Sequence, residues 1–211
     1  MKRCRKRRRS VSQQRKKDSI YEVTSRILLK LDKTRSTSAT KAILSNLRRS
    51  LGRPLSQTIE IWSLLYEELP ESFLTDQDEP TTEEKAILNA LQLYAIHQQG
   101  NEDSVLFWDQ EGIWNNLGYS LQPIRDRDSH STDQRFNGMI ASDSFDELSY
   151  HIRQLIKLLK ASKSKRGVNY ARLAEDFYWF IRGQKEKVRL NWARAYYSYQ
   201  PQKEEDSNDI Q

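Results

Sequence analysis

Apolar residues recur along most of this chain at intervals of three and four, the period of a helix with one face against a core. In DSIYEVTSRILLKLD (18–32), Ile20, Val23, Ile27 and Leu31 share a face. TSATKAILSNLRRSLG (37–52) opens on capping residues and stops at Gly52. Pro54 sits where a first-turn proline is tolerated, and Leu55, Ile59, Trp62, Tyr66 and Leu69 then predict one helix with a narrow core-facing stripe, ended by Pro70. The acidic stretch ESFLTDQDEPTT (71–82) reads as a loop, and Thr81 with Glu84 reads as the capping box of the next helix, EEKAILNALQLYAIHQQG (83–100). That helix is apolar nearly all round, with Ile87, Leu91 and Tyr94 facing one way and Leu93 and Ile96 another, so it belongs in the middle of a bundle.

Residues 101–131 are less regular, with Trp108 and Trp114 as anchors and QPIRDRDSHS as a polar loop. A short helix is expected through QRFNGMIA (134–141). SFDE (144–147) reads as a second capping box, opening a helix with Leu148, Ile152, Leu155, Ile156 and Leu159 on one face and Arg153, Lys157 and Lys160 opposite. ASKSKRG (161–167) is a basic linker, Asn169 caps NYARLAEDFYWFIRG, and Gly183 ends it. In the last helix, from about 185 to 199, Val188, Trp192, Ala195, Tyr196 and Tyr199 fall within an arc of about 100°, which assigns these rings to the core. Lys187 and Arg194 project from one flank and Lys185 and Arg189 border the other, so cations and rings do not interleave as on a single-strand platform. Tyr197 and Leu190 lie on the far side, where a second domain, a partner subunit or an unstacked base would meet them; protein contact is the favoured reading. With no convincing strand, the expected fold is all-α, a two-lobed helical bundle with an N-terminal lobe at 18–131 and a C-terminal lobe at 132–200.

Composition narrows the class. Of 211 residues 36% are hydrophobic, and no apolar run approaches the ~18 residues of a membrane-spanning helix, so a soluble, cytoplasmic protein without a membrane partner is expected. Basic residues at the N-terminus have no apolar segment behind them, unlike a secretory signal. Cys4 stands alone, which excludes an internal disulfide. The net charge of +6 hides a segregation: +10 over 1–17, +5 over 18–53, −15 over 54–150, +9 over 151–200 and −3 over 201–211. Positive surfaces suit phosphates, and the negative middle suits a basic partner or another copy. The arm MKRCRKRRRSVSQQRKK lacks periodicity and acids, so it is expected to be disordered and to bind nucleic acid through counterion release; a solvated tail and a targeting signal are the alternatives. The last segment, 201–211, is an acidic tail.

Chemistry is sparse. His97, His130 and His151 have no second His or Cys at ligand spacing, no glycine-rich loop cradles phosphate, and acid pairs such as Glu67 with Glu68 or Glu83 with Glu84 lie in solvated runs. No catalytic residue, metal or cofactor is assigned.

The segments KAILSNLRRSLGRP, LQLYAIHQQ, QRFNGMIAS, DELSYHIRQLIKLLK, NYARLAEDFYWF and KVRLNWARAYY, in this order, resemble the small subunit of the type I-E CRISPR Cascade complex, the CasB family. The resemblance spans about residues 37–199; the basic arm and the acidic tail depart from it. It implies an all-helical, non-catalytic subunit that sits as a pair beside the other Cascade subunits and stabilises the R-loop of crRNA and target DNA, together with the displaced strand, in antiviral defence. Carried over by position, its nucleic-acid-binding residues are Arg48, Arg49 and Arg53 on the first lobe, Arg135, Arg153 and Lys157 on the second, and Arg182, Lys185, Lys187, Arg189 and Arg194 around the final helix. A free-standing helical nucleic-acid-binding adaptor is the rival reading, although no compact helix-turn-helix is present. A small enzyme built from acids of the negative segment is the other.

Overall fold

The helical periodicity is realised in nine α-helices among the described residues: α1 (Ile20–Lys33), α2 (Ser38–Arg49), α3 (Trp62–Tyr66), α4 (Thr82–Gln98), α5 (Leu117–Leu121), α6 (Ser131–Ala141), α7 (Phe145–Ala161), α8 (Tyr170–Ile181) and α9 (Lys185–Tyr197). The computed structural model describes residues 18–108, 115–125, 130–162, 164 and 166–198. The arm 1–17, the acidic tail, Trp114 and Tyr199 lie outside these. The described residues contain no strand; one isolated parallel bridge joins Leu106 to Val168.

α4 is the axle of the bundle. Thr81 and Glu84 form the expected reciprocal capping box, and every residue from Ala90 to Gln98 is buried. α1, α2, α7 and α8 all pack on it. An all-round buried helix has to satisfy its polar side chains internally. Gln92 Nε2 donates to Ser50 Oγ at 2.9 Å, Asn89 exchanges hydrogen bonds with Ser149, and His97 Nδ1 lies 3.0 Å from the Tyr170 hydroxyl. One cluster of buried apolar residues runs from Ile20 to Tyr196, crossing the position expected to divide two lobes, because α8 packs on α1 and α4 as well as on α9.

The single helix expected from Leu55 to Leu69 does not form. Two 3-10 turns, Leu55–Gln57 and Ile59–Ile61, precede α3, with Thr58 between them at φ −122° and ψ 52°. The Leu55 carbonyl is claimed by the Thr58 hydroxyl at 2.8 Å and by Trp62 Nε1 at 2.9 Å, so local side-chain bonding displaces the helical pattern. The expected stripe splits: Leu55 and Leu69 are buried, Ile59 and Tyr66 are exposed, and Ile61, Leu64 and Leu65 fill the core instead. A second adjustment lies at SFDE, where Ser144 Oγ accepts from Glu147 N but Glu147 reaches back to Asp143 N, not to the cap.

α9 matches its expected stripe, with Val188, Trp192, Ala195 and Tyr196 buried. Trp192 Nε1 donates to Asp176 Oδ2 at 2.7 Å, and Phe136 stacks on Tyr196 at 3.8 Å between centroids. Tyr197 meets protein within this chain: its hydroxyl lies 2.9 Å from Asn137 Oδ1 and Arg125 sits 4.8 Å above its ring. That arginine belongs to the segment expected as a polar loop, and it pairs with Asp133 at 3.2 Å. α5 was not foreseen, being too short for periodicity. It reaches α9 because position 118 has no Cβ; one added there would lie 2.0 Å from the Trp192 carbonyl oxygen. Gly118→Ala is therefore expected to cost about 3 kcal/mol, the upper end of overpacking, read from urea unfolding; a loss under about 0.5 kcal/mol would show that α5 moves aside freely.

Burial pushes the Asp176 carboxyl up to about 6, against the pull of the Trp192 N–H and Arg172. The native state thus holds a proton more tightly than the unfolded chain, and the stability contributed by the neutral carboxyl fades as pH rises from 3.8 through about 6. His97 has the opposite sign. Burial, assisted by Lys160, lowers it from 6.5 to about 4, so its contribution is present above 6.5 and lost as pH falls toward 4. Asp176→Asn keeps an acceptor for Trp192 and removes only the first titration. The stability of this variant minus that of the parent should grow by about 3 kcal/mol between roughly pH 4 and pH 7, and a pH-independent difference would contradict the assignment.

Candidate nucleic-acid interface

Two rows of cations flank α4. On α7, Arg153, Lys157 and Lys160 are spaced i, i+4, i+7, which puts them on one face opposite the buried Ile152, Leu155, Ile156 and Leu159. On α2, Lys41 and Arg48 stand two turns apart, beyond the buried Leu44 and Leu47, and Arg49 and Arg53 continue the series. The rows run antiparallel. Arg53 and Arg153 line one cleft of about 520 Å³, while Arg48 lies close enough to Lys160 to lower its affinity for a proton.

At the far end the rows open into a groove around the turn that ends α4. A cleft of about 910 Å³ is lined by Lys33, Arg35, Lys41 and Arg48, and an adjoining one of about 340 Å³ by Lys160 and Arg166. The two share Gly100, Asn101 and Glu102, and Glu102 with Asp103 are their acids. None of Lys33, Lys41, Arg48 or Lys160 makes an ion pair with a described carboxylate. Part of their charge is balanced by the helix itself, whose C-terminal carbonyls carry the negative end of the dipole: Arg48 Nη1 donates to Ala95 O at 3.2 Å. Burial and then Arg49 lower the Arg48 guanidinium, burial and then Arg48 lower the Lys160 amine, and burial lowers Arg153, whose Nε is buried without a hydrogen-bond partner among the described residues. Like charges that are partly stripped of water and lack carboxylates are relieved by an anion.

The expected binding residues divide by location. Arg48, Arg49, Arg53, Arg153 and Lys157 share the α2–α7 surface, with Arg49 bonded to Asn46 and Arg53 paired to Glu60 at 3.3 Å. Lys185 and Arg189 gather at the turn between α6 and α7 in a bracing role. Lys185 donates to the Asp143 carbonyl, and Arg189 donates to Ser142 O at 2.6 Å while pairing with Glu186 at 2.8 Å. Arg135 on α6, Arg182 after α8, and Lys187 and Arg194 on α9 are exposed. The structure thus adds Lys33, Lys41, Lys160 and Arg166 to the α2–α7 surface. Lys160 was legible as the third member of the i, i+4, i+7 row; the others meet only through tertiary packing. Lys163 and Lys165 of the basic linker lie outside the described residues.

His97 is buried against Tyr170, and His130 is exposed. Among the described residues no group of His, Cys, Asp and Glu is arranged to hold a metal, and no helix is long and apolar enough to cross a membrane.

Residues 43–197 match the family model of the CRISPR-associated protein Cse2. Crystal structures of CasB proteins share the fold: that from Thermobifida fusca superposes with a TM-score of 0.67 at 22% identity, covering 85% of this chain and 98% of its own. CasB from M. ruber gives 0.62 at 25% identity, covering 85% and 93%, and CasB from Thermus thermophilus gives 0.57 at 24%, covering 82% and 97%. Among curated proteins no relative matches. The match to the family model over most of the chain, on an all-helical fold shared with CasB structures, places this chain in the Cse2 (CasB) family, a subunit of the type I-E Cascade complex of CRISPR defence.

Proposed function

We propose that this subunit is a non-catalytic clamp on nucleic-acid backbone, using the antiparallel cationic rows of α2 and α7 to steady the R-loop that crRNA forms with target DNA, and the displaced strand. The observation that carries this reading is the absence of described carboxylate partners for Lys41, Arg48 and Lys160 in a surface where burial and a neighbouring cation already disfavour the charge of Arg48 and Lys160. Exchange of one duplex for another in an R-loop is close to balance, so modest contacts to phosphate are enough to tip it. Such contacts need charge and position but no reading of bases. The crRNA and target DNA as ligands, and a second copy of the subunit alongside, belong to the same proposal.

Lys41, Lys157 and Lys160 stand clear of the core, so replacing all three by Gln should leave folding and assembly with the other Cascade subunits intact. Affinity of the assembled complex for target duplex should fall. The slope of log affinity against log salt should flatten by roughly 0.7 for each single-strand phosphate contact removed, on every target sequence alike. Unchanged affinity and slope would refute the clamp, and a loss confined to particular targets would assign base reading to this surface. Failure of the chain to co-purify with an RNA-containing complex would instead favour the free-standing adaptor.

A further inference from the structure

Helix α9 delivers the chain to the rim of the cationic groove. Ser198, which follows α9, gives its carbonyl to Gln122 Nε2 at 2.7 Å. Gln122 Oε1 in turn accepts from Arg166 Nη1 at 3.2 Å, and Arg166 lines the groove. The hairpin of α8 and α9 explains this placement. Asp176 is bonded to Trp192, so the end of α9 lies level with the start of α8, where Tyr170 meets His97 at the C-terminal end of α4.

Ser19, the cap of α1, lies toward the other end. The last turn of α1 lies by Tyr94, whose hydroxyl feels Asp32 and Arg35, and Tyr94 packs against Tyr170. α1 packs along α8, so its N-terminal cap, Ser19, lies away from the groove by most of a helix length, about 20 Å.

Beyond Ser198 the sequence is YQPQKEEDSNDIQ, in which Glu204, Glu205, Asp206 and Asp209 face a single cation, Lys203. We propose that this acidic segment, residues 199–211, occupies the cationic groove at the end of α4 and competes there with nucleic-acid phosphate. The competition rests on the clamp reading of the same surface; the docking itself rests on charge and reach. Six cations, Lys33, Arg35, Lys41, Arg48, Lys160 and Arg166, stand against Glu102 and Asp103 in the groove. Glu204 is six residues past Ser198, a span of up to about 20 Å in extended chain, which exceeds the separation set by the Gln122–Arg166 relay. A tether of this length holds the carboxylates at roughly millimolar effective concentration, so weak individual contacts give substantial occupancy. An outside polyanion with many phosphates displaces the segment; a short or singly charged anion does not.

Docking is tested without nucleic acid. In the full chain carrying Cys4→Ser and Ser207→Cys, a nitroxide at position 207 should broaden the backbone amides of Gly100–Ser104 and Lys160–Ser162, and high salt should release them. Broadening concentrated in residues 1–17, or spread without preference, would overturn the proposal. Competition is tested by affinity for a labelled oligothymidine at low salt. Removing 199–211 should tighten binding roughly threefold to tenfold, as for a segment seated about 70–90% of the time. Removal also raises the net charge from +6 to +9, a general effect that the groove must be shown to exceed. The gain should therefore shrink markedly in a Lys41→Gln, Lys160→Gln background, and an equal gain in both backgrounds would overturn the competition. Groove broadening with no change in affinity would uphold docking and reject the clamp reading. Loss of affinity in the lysine variants without groove broadening would uphold the clamp and reject docking.

Discussion

The demand that α4 be buried on every side from Ala90 to Gln98 organises this protein. A helix with so little solvent face has to find partners for its polar side chains within the fold, and Gln92, Asn89 and His97 do so with Ser50, Ser149 and Tyr170. Those partners come from the turn after α2, from α7 and from α8, so the hydrogen bonds fix which helices surround the axle and in what register. Where α4 ends, its carbonyls remain to be satisfied. Asn101 donates to the His97 carbonyl and Arg48 to the Ala95 carbonyl, and the electronegative end of the helix draws cations from three surrounding elements. The cationic groove is thus a by-product of terminating a buried helix, extended along α2 and α7 into a wider cationic surface.

The same bracing accounts for cations that do not join that surface. Arg189 and Lys185 bond the carbonyls of the turn between α6 and α7, and Arg125 pairs with Asp133 while lying over the Tyr196 and Tyr197 rings. These side chains exchange solvent for backbone and aromatic contacts, which a count of charges along the sequence does not distinguish from phosphate ligands. Tyr196, stacked on Phe136, also donates its hydroxyl to Asp133, so the α6–α9 contact combines ring packing with a half-buried acceptor.

Long amphipathic helices were legible in the sequence because their apolar spacing follows from burial of one face; α1, α2, α4, α7, α8 and α9 all fall within three residues of expectation. The Leu55–Leu69 segment was misread because the apolar spacing there is compatible with a helix, while the Thr58 hydroxyl and the Trp62 indole compete for one carbonyl. α5 escaped because a five-residue helix has no period to detect and its position depends on a glycine approached by a distant backbone. On the interface, the α7 row could be read from spacing alone. Its junction with Lys33, Lys41 and Arg166 could not, since that depends on how three helices meet at the end of a fourth.

His97 and Tyr170, whose contact closes the core, are 73 residues apart in the chain. A ribosome adds roughly 5–20 residues per second, so several seconds pass between the synthesis of α4 and that of the helix that covers it. During that interval a seventeen-residue helix with apolar side chains on every face has only the preceding helices for shelter. The nascent chain is most exposed to aggregation or chaperone capture at this stage, and changes that delay α8 will lower the yield of folded protein even where they leave its final stability untouched.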